Sequence, residues 1–191
     1  NKFVSLIYPL TDFLGTVPGY FEYDISGWFL GFILIFFGII FGDGGYGLFI
    51  CAVTGALIAK TVASKKKIPP AFLLIGLFGL STILWGTLTC TWFGLSADQL
   101  PVWLQKLSIP FISNVYTDRI WYPFWTNGEY GLTTAQNLQI FCFSLALVQL
   151  TVSHLKVAAR NRKSIKVLGD IGAMLQLFGI FYVVLSFVVN A

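Results

Sequence analysis

Few side chains in this sequence could do chemistry. Among those set within or at the edges of apolar runs, the ionisable ones are Asp43, His154, Lys156 and Asp170. Charged groups inside a bilayer are costly and mark functional candidates by default. Asp43 sits at the centre of Gly42-Asp43-Gly44-Gly45-Tyr46-Gly47. There it has two readings, an ion ligand or proton relay, or a turn residue that caps the following helix and binds the amides of a glycine loop. The turn composition favours the second. His154 is a candidate proton carrier near neutral pH, or a lone histidine bonded to a neighbouring helix near the headgroups. Asp170 falls about one turn into an apolar run, where a helix N-terminus favours a carboxylate, with Lys166 four residues earlier as a possible partner. Gln149 and Gln176 could bond between helices.

Hydrolytic and nucleophilic chemistry finds no residue set. One histidine allows no triad and no HExxH, and the glycine hexapeptide lacks the Lys-Ser/Thr that a phosphate-cradling loop needs. The cysteines Cys51, Cys90 and Cys142 form no CxxC and have no histidine nearby, so they read as small packing residues, with no metal or cofactor expected.

The elements that position these residues are apolar helices. The chain is 57% hydrophobic and 10% charged, well below the roughly 25% charge of a soluble domain. Several runs exceed the ~18 apolar residues that mark a bilayer span and recur to the end of the chain, which excludes a signal peptide as their explanation. The fold class is therefore all-α, a polytopic bundle of about five transmembrane helices. Residues 1–26 form an interfacial entry segment, with helix breakers at Pro9, Gly15, Pro18 and Gly19, and Ser26 suits an N-cap. Residues 27–191 form the transmembrane domain. The first apolar stretch, Trp28 to Ala63, would be ~54 Å long as one straight helix against a ~30 Å hydrocarbon core. The glycine-aspartate break divides it into a helical hairpin with spans at about 28–43 and 46–63. Further spans are expected at 71–96, 135–158 and 167–189.

An outside loop at 97–134, with Trp103, Trp121, Tyr122, Trp125 and Tyr130 beside Pro101, Pro110 and Pro123, should lie at the membrane interface. With the N-terminus inside, all 12 Lys and Arg except Lys106 and Arg119 fall on the cytoplasmic side, as the positive-inside rule requires. The net charge of +4 therefore reads as orientation against anionic lipid, not nucleic-acid binding. Small residues four apart, Gly27/Gly31, Gly38/Gly42 and Gly86/Cys90/Gly94, are candidate helix contacts.

Two motifs carry a resemblance. Pro18-Gly19-Tyr20-Phe21-Glu22-Tyr23-Asp24-Ile25-Ser26 leading to Phe36-Phe37-Gly38-Ile39-Ile40-Phe41-Gly42-Asp43-Gly44-Gly45-Tyr46-Gly47 resembles the start of the membrane domain of V-type ATPase stator subunits, called subunit a or subunit I. Trp85-Gly86-Thr87-Leu88-Thr89-Cys90-Thr91-Trp92-Phe93-Gly94 resembles that family's second signature. The resemblance implies the front half of a C-terminal membrane domain that supports proton or sodium translocation against a rotating proteolipid (c/K) ring. It implies peripheral-stalk and central-stalk subunits as further partners, a cytoplasmic N-terminus and a bacterial plasma membrane. It also implies a non-catalytic subunit, without a cofactor. The family's essential arginine lies on a later helix, and no arginine here falls within an apolar run. A piece of a longer subunit is expected, whose spans brace the ion-exchange site. An unrelated small transporter or channel with the Asp43 loop as a broken-helix site, or a membrane scaffold, are the competing readings.

Overall fold

The computed structural model describes residues 4–15, 26–124 and 128–190. The motif residues Pro18 to Ile25, with Trp125 and Lys2, lie outside them. The architecture is all-helical, with one isolated antiparallel bridge, Trp121 to Leu132, among the described residues. The chain divides into two units, residues 1–109 with 113–115, and residues 110–112 with 116–191.

The first unit opens with a 3-10 turn, Val4–Ile7, and a short helix α1, Tyr8–Leu14. Pro9 occupies the first turn of α1, where a missing amide hydrogen costs little, and Gly15 closes it in the left-handed region at φ 67°. The two helix breakers thus bracket a helix. Ile7 is buried with Leu30 and Leu74, which pins this segment to the bundle.

Three apolar helices follow: α2, Ser26–Phe41; α3, Gly44–Ala63; and α4, Pro70–Thr89. Their contacts fix their directions. Leu30 packs with Leu74, the rings of Phe37 and Phe78 stack at 4.3 Å, and Gly38 meets Ser81, so residue numbers rise together and α2 is parallel to α4. Gly44 meets Gly86, Gly47 meets Ile83, and Cys51 meets Gly79, so α3 is antiparallel to α4. The chain therefore reverses at Gly42-Asp43. Helix α4 packs against both α2 and α3, so the hairpin is splayed, with α4 as the shared partner.

Close backbone approach makes this packing possible. A Cβ on Gly86 would lie 2.6 Å from the Gly44 Cα, and one on Gly47 would lie 2.6 Å from the Ile83 nitrogen. Lipid tails give apolar helices no hydrophobic reason to associate, so dispersion between closely approaching backbones must do it. Of the small-residue pairs expected from sequence, Gly38 and Gly86 lie at helix contacts. Gly31 has nothing within 4 Å of its Cβ position and Gly27 has only a Val4 methyl at 3.7 Å, so that pair is not a contact here.

Helix α2 has 16 residues, about 24 Å, the length expected from sequence but placed two residues earlier, and it is shorter than the four helices long and apolar enough to cross a membrane, which are α3, α4 and the two helices of the second unit. Helix α4 stops at Thr89 instead of running to Ser96, because Cys90 turns left-handed at φ 55° and the Thr91 amide donates back to the Gly86 carbonyl at 2.8 Å. The chain then turns into a small cap made of a 3-10 turn, Ala97–Gln99, and helix α5, Val102–Leu107, where Cys90, Leu100 and Leu104 are buried with Trp92 and Val115.

The second unit is a long antiparallel pair, α6, Thr134–Arg160, and α7, Val167–Asn190. Thr133 caps α6 in a capping box with Gln136. Gln136 Nε2 also donates to the Val188 carbonyl at 2.7 Å, tying the start of α6 to the end of α7. Apolar side chains such as Leu175, Tyr182 and Phe187 are exposed along α7, as lipid-facing residues would be.

Gly86→Ala should therefore lower the stability of the full-length protein by about 1–3 kcal/mol, since neither backbone can withdraw from the other. Thermal unfolding in detergent checks this. Gly31→Ala, which meets nothing, should leave the midpoint unchanged or slightly raised.

Candidate functional site

Asp43 is the N-cap of α3 and is buried, 6% exposed. Gly42 precedes it at φ 63°, a conformation L-residues rarely adopt. Oδ1 accepts the amides of Gly45 at 2.7 Å and Tyr46 at 3.3 Å, the ordinary capping bonds of the first turn of α3. The same oxygen accepts the Phe93 amide at 2.9 Å, and Oδ2 accepts the Gly94 amide at 3.1 Å. One carboxylate thus gathers four backbone donors from two places about fifty residues apart.

Three further features close this knot. The Gly44 amide donates to the Thr91 carbonyl at 2.9 Å. The Trp92 indole lies against Gly44 and the Phe93 ring against Gly45, each where a Cβ would intrude. Asn114 Nδ2 donates to Thr91 Oγ1 at 2.9 Å, fastening the loop after α5 to the same point. Phe93 adopts φ 53° and Gly94 φ 67°, and these two left-handed residues present consecutive amides to the carboxylate. Burial of a charge is costly, and here charge-assisted hydrogen bonds and the positive end of α3 offset that cost.

The second unit brings His154 and Asp170 together. His154 Nδ1 lies 3.9 Å from Asp170 Oδ1, with the side chains 33% and 17% exposed. Asp170 thus faces His154 on α6 and not Lys166, its neighbour one turn earlier. Asp43 belongs to the first unit and this pair to the second. Among the described residues no three His, Cys, Asp or Glu side chains cluster as a metal site would require.

Sequence reasoning named Asp43 and the glycines but missed the distant partners, Phe93 and Gly94 of Asp43 and Thr91 of Gly44. The signal available was the second motif itself, whose glycines and aromatics have no reason to be grouped unless a backbone comes close. Pairing of His154 with Asp170 was also missed. Each lies eight residues from Arg162 in the turn between α6 and α7, and in an antiparallel pair residues equidistant from the turn face each other.

The comparisons agree with the motifs. The chain is 38% identical over 193 residues to V-type ATP synthase subunit I 1 of Treponema pallidum (strain Nichols), which covers 100% of this chain and 28% of that protein. It is 28% identical over 191 residues to V-type ATP synthase subunit I of Borreliella burgdorferi, covering 97% of this chain and 28% of that relative. A V-type ATP synthase subunit I of Chlamydia pneumoniae is 29% identical over 92 residues, 46% of this chain and 14% of its own. No protein-family model matches the chain, and no solved structure matches it. The chain therefore spans a little over a quarter of the length of these two longest-matching relatives.

Asp43→Ala should release both sides of the knot. Hydrogen exchange at the Phe93 and Gly94 amides is expected to accelerate together with that at Gly45 and Tyr46, and the fold to lose about 2–5 kcal/mol as several charge-assisted bonds go at once. Protection persisting at Phe93 and Gly94 would contradict the geometry. For the second pair, a double-mutant cycle with His154→Ala and Asp170→Asn should give a coupling of no more than about 1 kcal/mol, given its length and partial exposure.

With the two signature motifs joined at one carboxylate and the similarity running the length of the chain, the chain belongs to the V-type ATP synthase subunit I family, matching the C-terminal part of its relatives.

Proposed function

We propose that this chain forms the leading part of the membrane domain of a rotary V-type ATPase stator subunit, and that it braces the site where protons or sodium ions pass between stator and proteolipid ring. The observation that carries the reading is the similarity, along nearly all of this chain, to a little over a quarter of the subunit I relatives. The knot at Asp43 supports a bracing role. Its carboxylate accepts four backbone amides from two distant segments, which is what a structural tie needs. The arginines among the described residues, Arg119, Arg160 and Arg162, stand outside or at the end of the apolar helices, so the ion-exchanging arginine is assigned to another part of the subunit.

On this reading the chain is not itself catalytic, and ATP hydrolysis or synthesis belongs to soluble partners. The partners are the proteolipid ring and the peripheral and central stalks. The chain is multi-pass in the bacterial plasma membrane with its N-terminus in the cytoplasm, as the placement of Lys65, Lys66, Lys67, Arg160, Arg162 and Lys163 favours. His154 and Asp170 sit near the basic end of α6 and α7, where a weak ion pair would clasp the two helices.

Affinity purification of the tagged full-length protein from its own membranes is the test. Recovery of a proteolipid ring and soluble ATPase subunits in fixed proportion, with ATP-driven ion uptake in reconstituted vesicles, is expected. Asp43→Ala should reduce the assembled fraction, while the complexes that still assemble keep most of their uptake per complex. Recovery of the protein alone, with ion or solute flux that needs no ATP, would favour the independent transporter instead.

A further inference from the structure

An open apolar groove of about 370 Å³ runs between α3 and α4, and neither Asp43 nor its partners line it. Its walls are Cys51, Thr54, Gly55 and Ile58 from α3, and Leu73, Gly76, Leu77 and Leu80 from α4, with Leu6 at its edge. These positions follow a three-then-four spacing on both helices, so the groove is a continuous seam along the pair. Glycine creates it. A Cβ on Gly55 would meet nothing within 4 Å, so the seam is hollow where a larger residue would have filled it. Its volume is in the range of small-molecule sites, yet no charged side chain lines it.

The charge lies at one end. Helix α3 leaves the groove at Ile58 and reaches the exposed run Lys65-Lys66-Lys67 after seven residues, about 10 Å of helix rise, and α4 descends from those lysines to Leu73. Lys60 adds a fourth basic group on the last turn of α3. Ser64 to Pro69 is thus a cationic loop at the foot of an apolar furrow. A molecule complementary to both has an anionic head and a flexible hydrocarbon tail.

We propose that this seam is a binding site for one anionic phospholipid, with an acyl chain laid along Gly55 and Gly76 and the phosphate held by Lys65, Lys66 and Lys67. A neutral lipid would fit the furrow without using the lysines, and a transmembrane helix would fill the furrow without an anionic head. The combination of tail-shaped void and basic loop selects the anionic lipid. This inference stands on the first unit alone and is independent of any contact with a rotor.

The test uses the full-length protein in detergent, with native mass spectrometry to follow phosphatidylglycerol and phosphatidylcholine added in equal amounts. The unaltered protein should retain phosphatidylglycerol in roughly tenfold preference, as several partly screened lysines near a phosphate would give. Replacing all three residues (Lys65→Gln, Lys66→Gln, Lys67→Gln) should abolish the preference but leave some lipid bound. Gly55→Leu, which fills the groove without a backbone clash, should reduce retention of both lipids. In addition, a photo-crosslinking benzoylphenylalanine placed at Gly55 should give an adduct with the mass of a phospholipid in native membranes. Unchanged preference in the triple variant, or unchanged retention in Gly55→Leu, would overturn the proposal. So would a polypeptide adduct at Gly55, which would show that another helix covers the seam.

Discussion

A buried carboxylate needs hydrogen bonds, and the chain must bend to supply them. Asp43 cannot be left in an apolar bundle without donors, and the first turn of α3 offers only Gly45 and Tyr46. Phe93 and Gly94 complete the set, and to do so the chain has to leave helical conformation after Thr89 and present two left-handed residues in succession. The reversal between α2 and α3 and the loop that follows α4 are the two places this one side chain joins. Its role is local electrostatics with architectural consequences.

The glycines follow from the same arrangement. For the Phe93 and Gly94 amides to meet Asp43, the top of α4 must lie against the start of α3, and a side chain at Gly44, Gly47 or Gly86 would hold the two backbones apart. Small residues that look like generic membrane composition are, at these positions, the condition for the hydrogen bonds. Elsewhere they are not. Gly31 and Gly55 face open space, and the second of these leaves the hollow seam beside the basic loop. A glycine in a membrane helix therefore has meaning only through what stands opposite it.

Much of this was legible in the sequence, for identifiable reasons. The all-helical class followed from composition and hydrophobic run length, and the break at Gly42-Asp43 followed from the mismatch between 36 apolar-rich residues and one bilayer thickness, whereas the short helices α1 and α5 lay in segments read as entry segment and loop. The end of α4 was not legible, because Trp92, Phe93 and Leu95 are apolar and continue the run, while the stop is made by a left-handed Cys90 and the loop after it is bonded to a carboxylate fifty residues away. Hydropathy registers burial and is blind to a left-handed φ. Side-chain pairing between α6 and α7 lay within reach of a simple register argument about their turn. The choice of α4 as the common partner of α2 and α3 did not, because it depends on which glycine meets which backbone.

The account rests on the chain folding back at Asp43, with α2 and α3 on either side of α4. Spin labels at Trp28 and Val62, both exposed and at the outer ends of α2 and α3, would measure this in the full-length protein in lipid by pulsed dipolar spectroscopy. Two helices flanking a third, each at a packing distance of about 8–10 Å, place the labels within about 30 Å of each other. That is the expected result. A distance near 51 Å, the length of an unbroken helix from one label to the other, would contradict the reversal and with it the knot that Asp43 is held to tie.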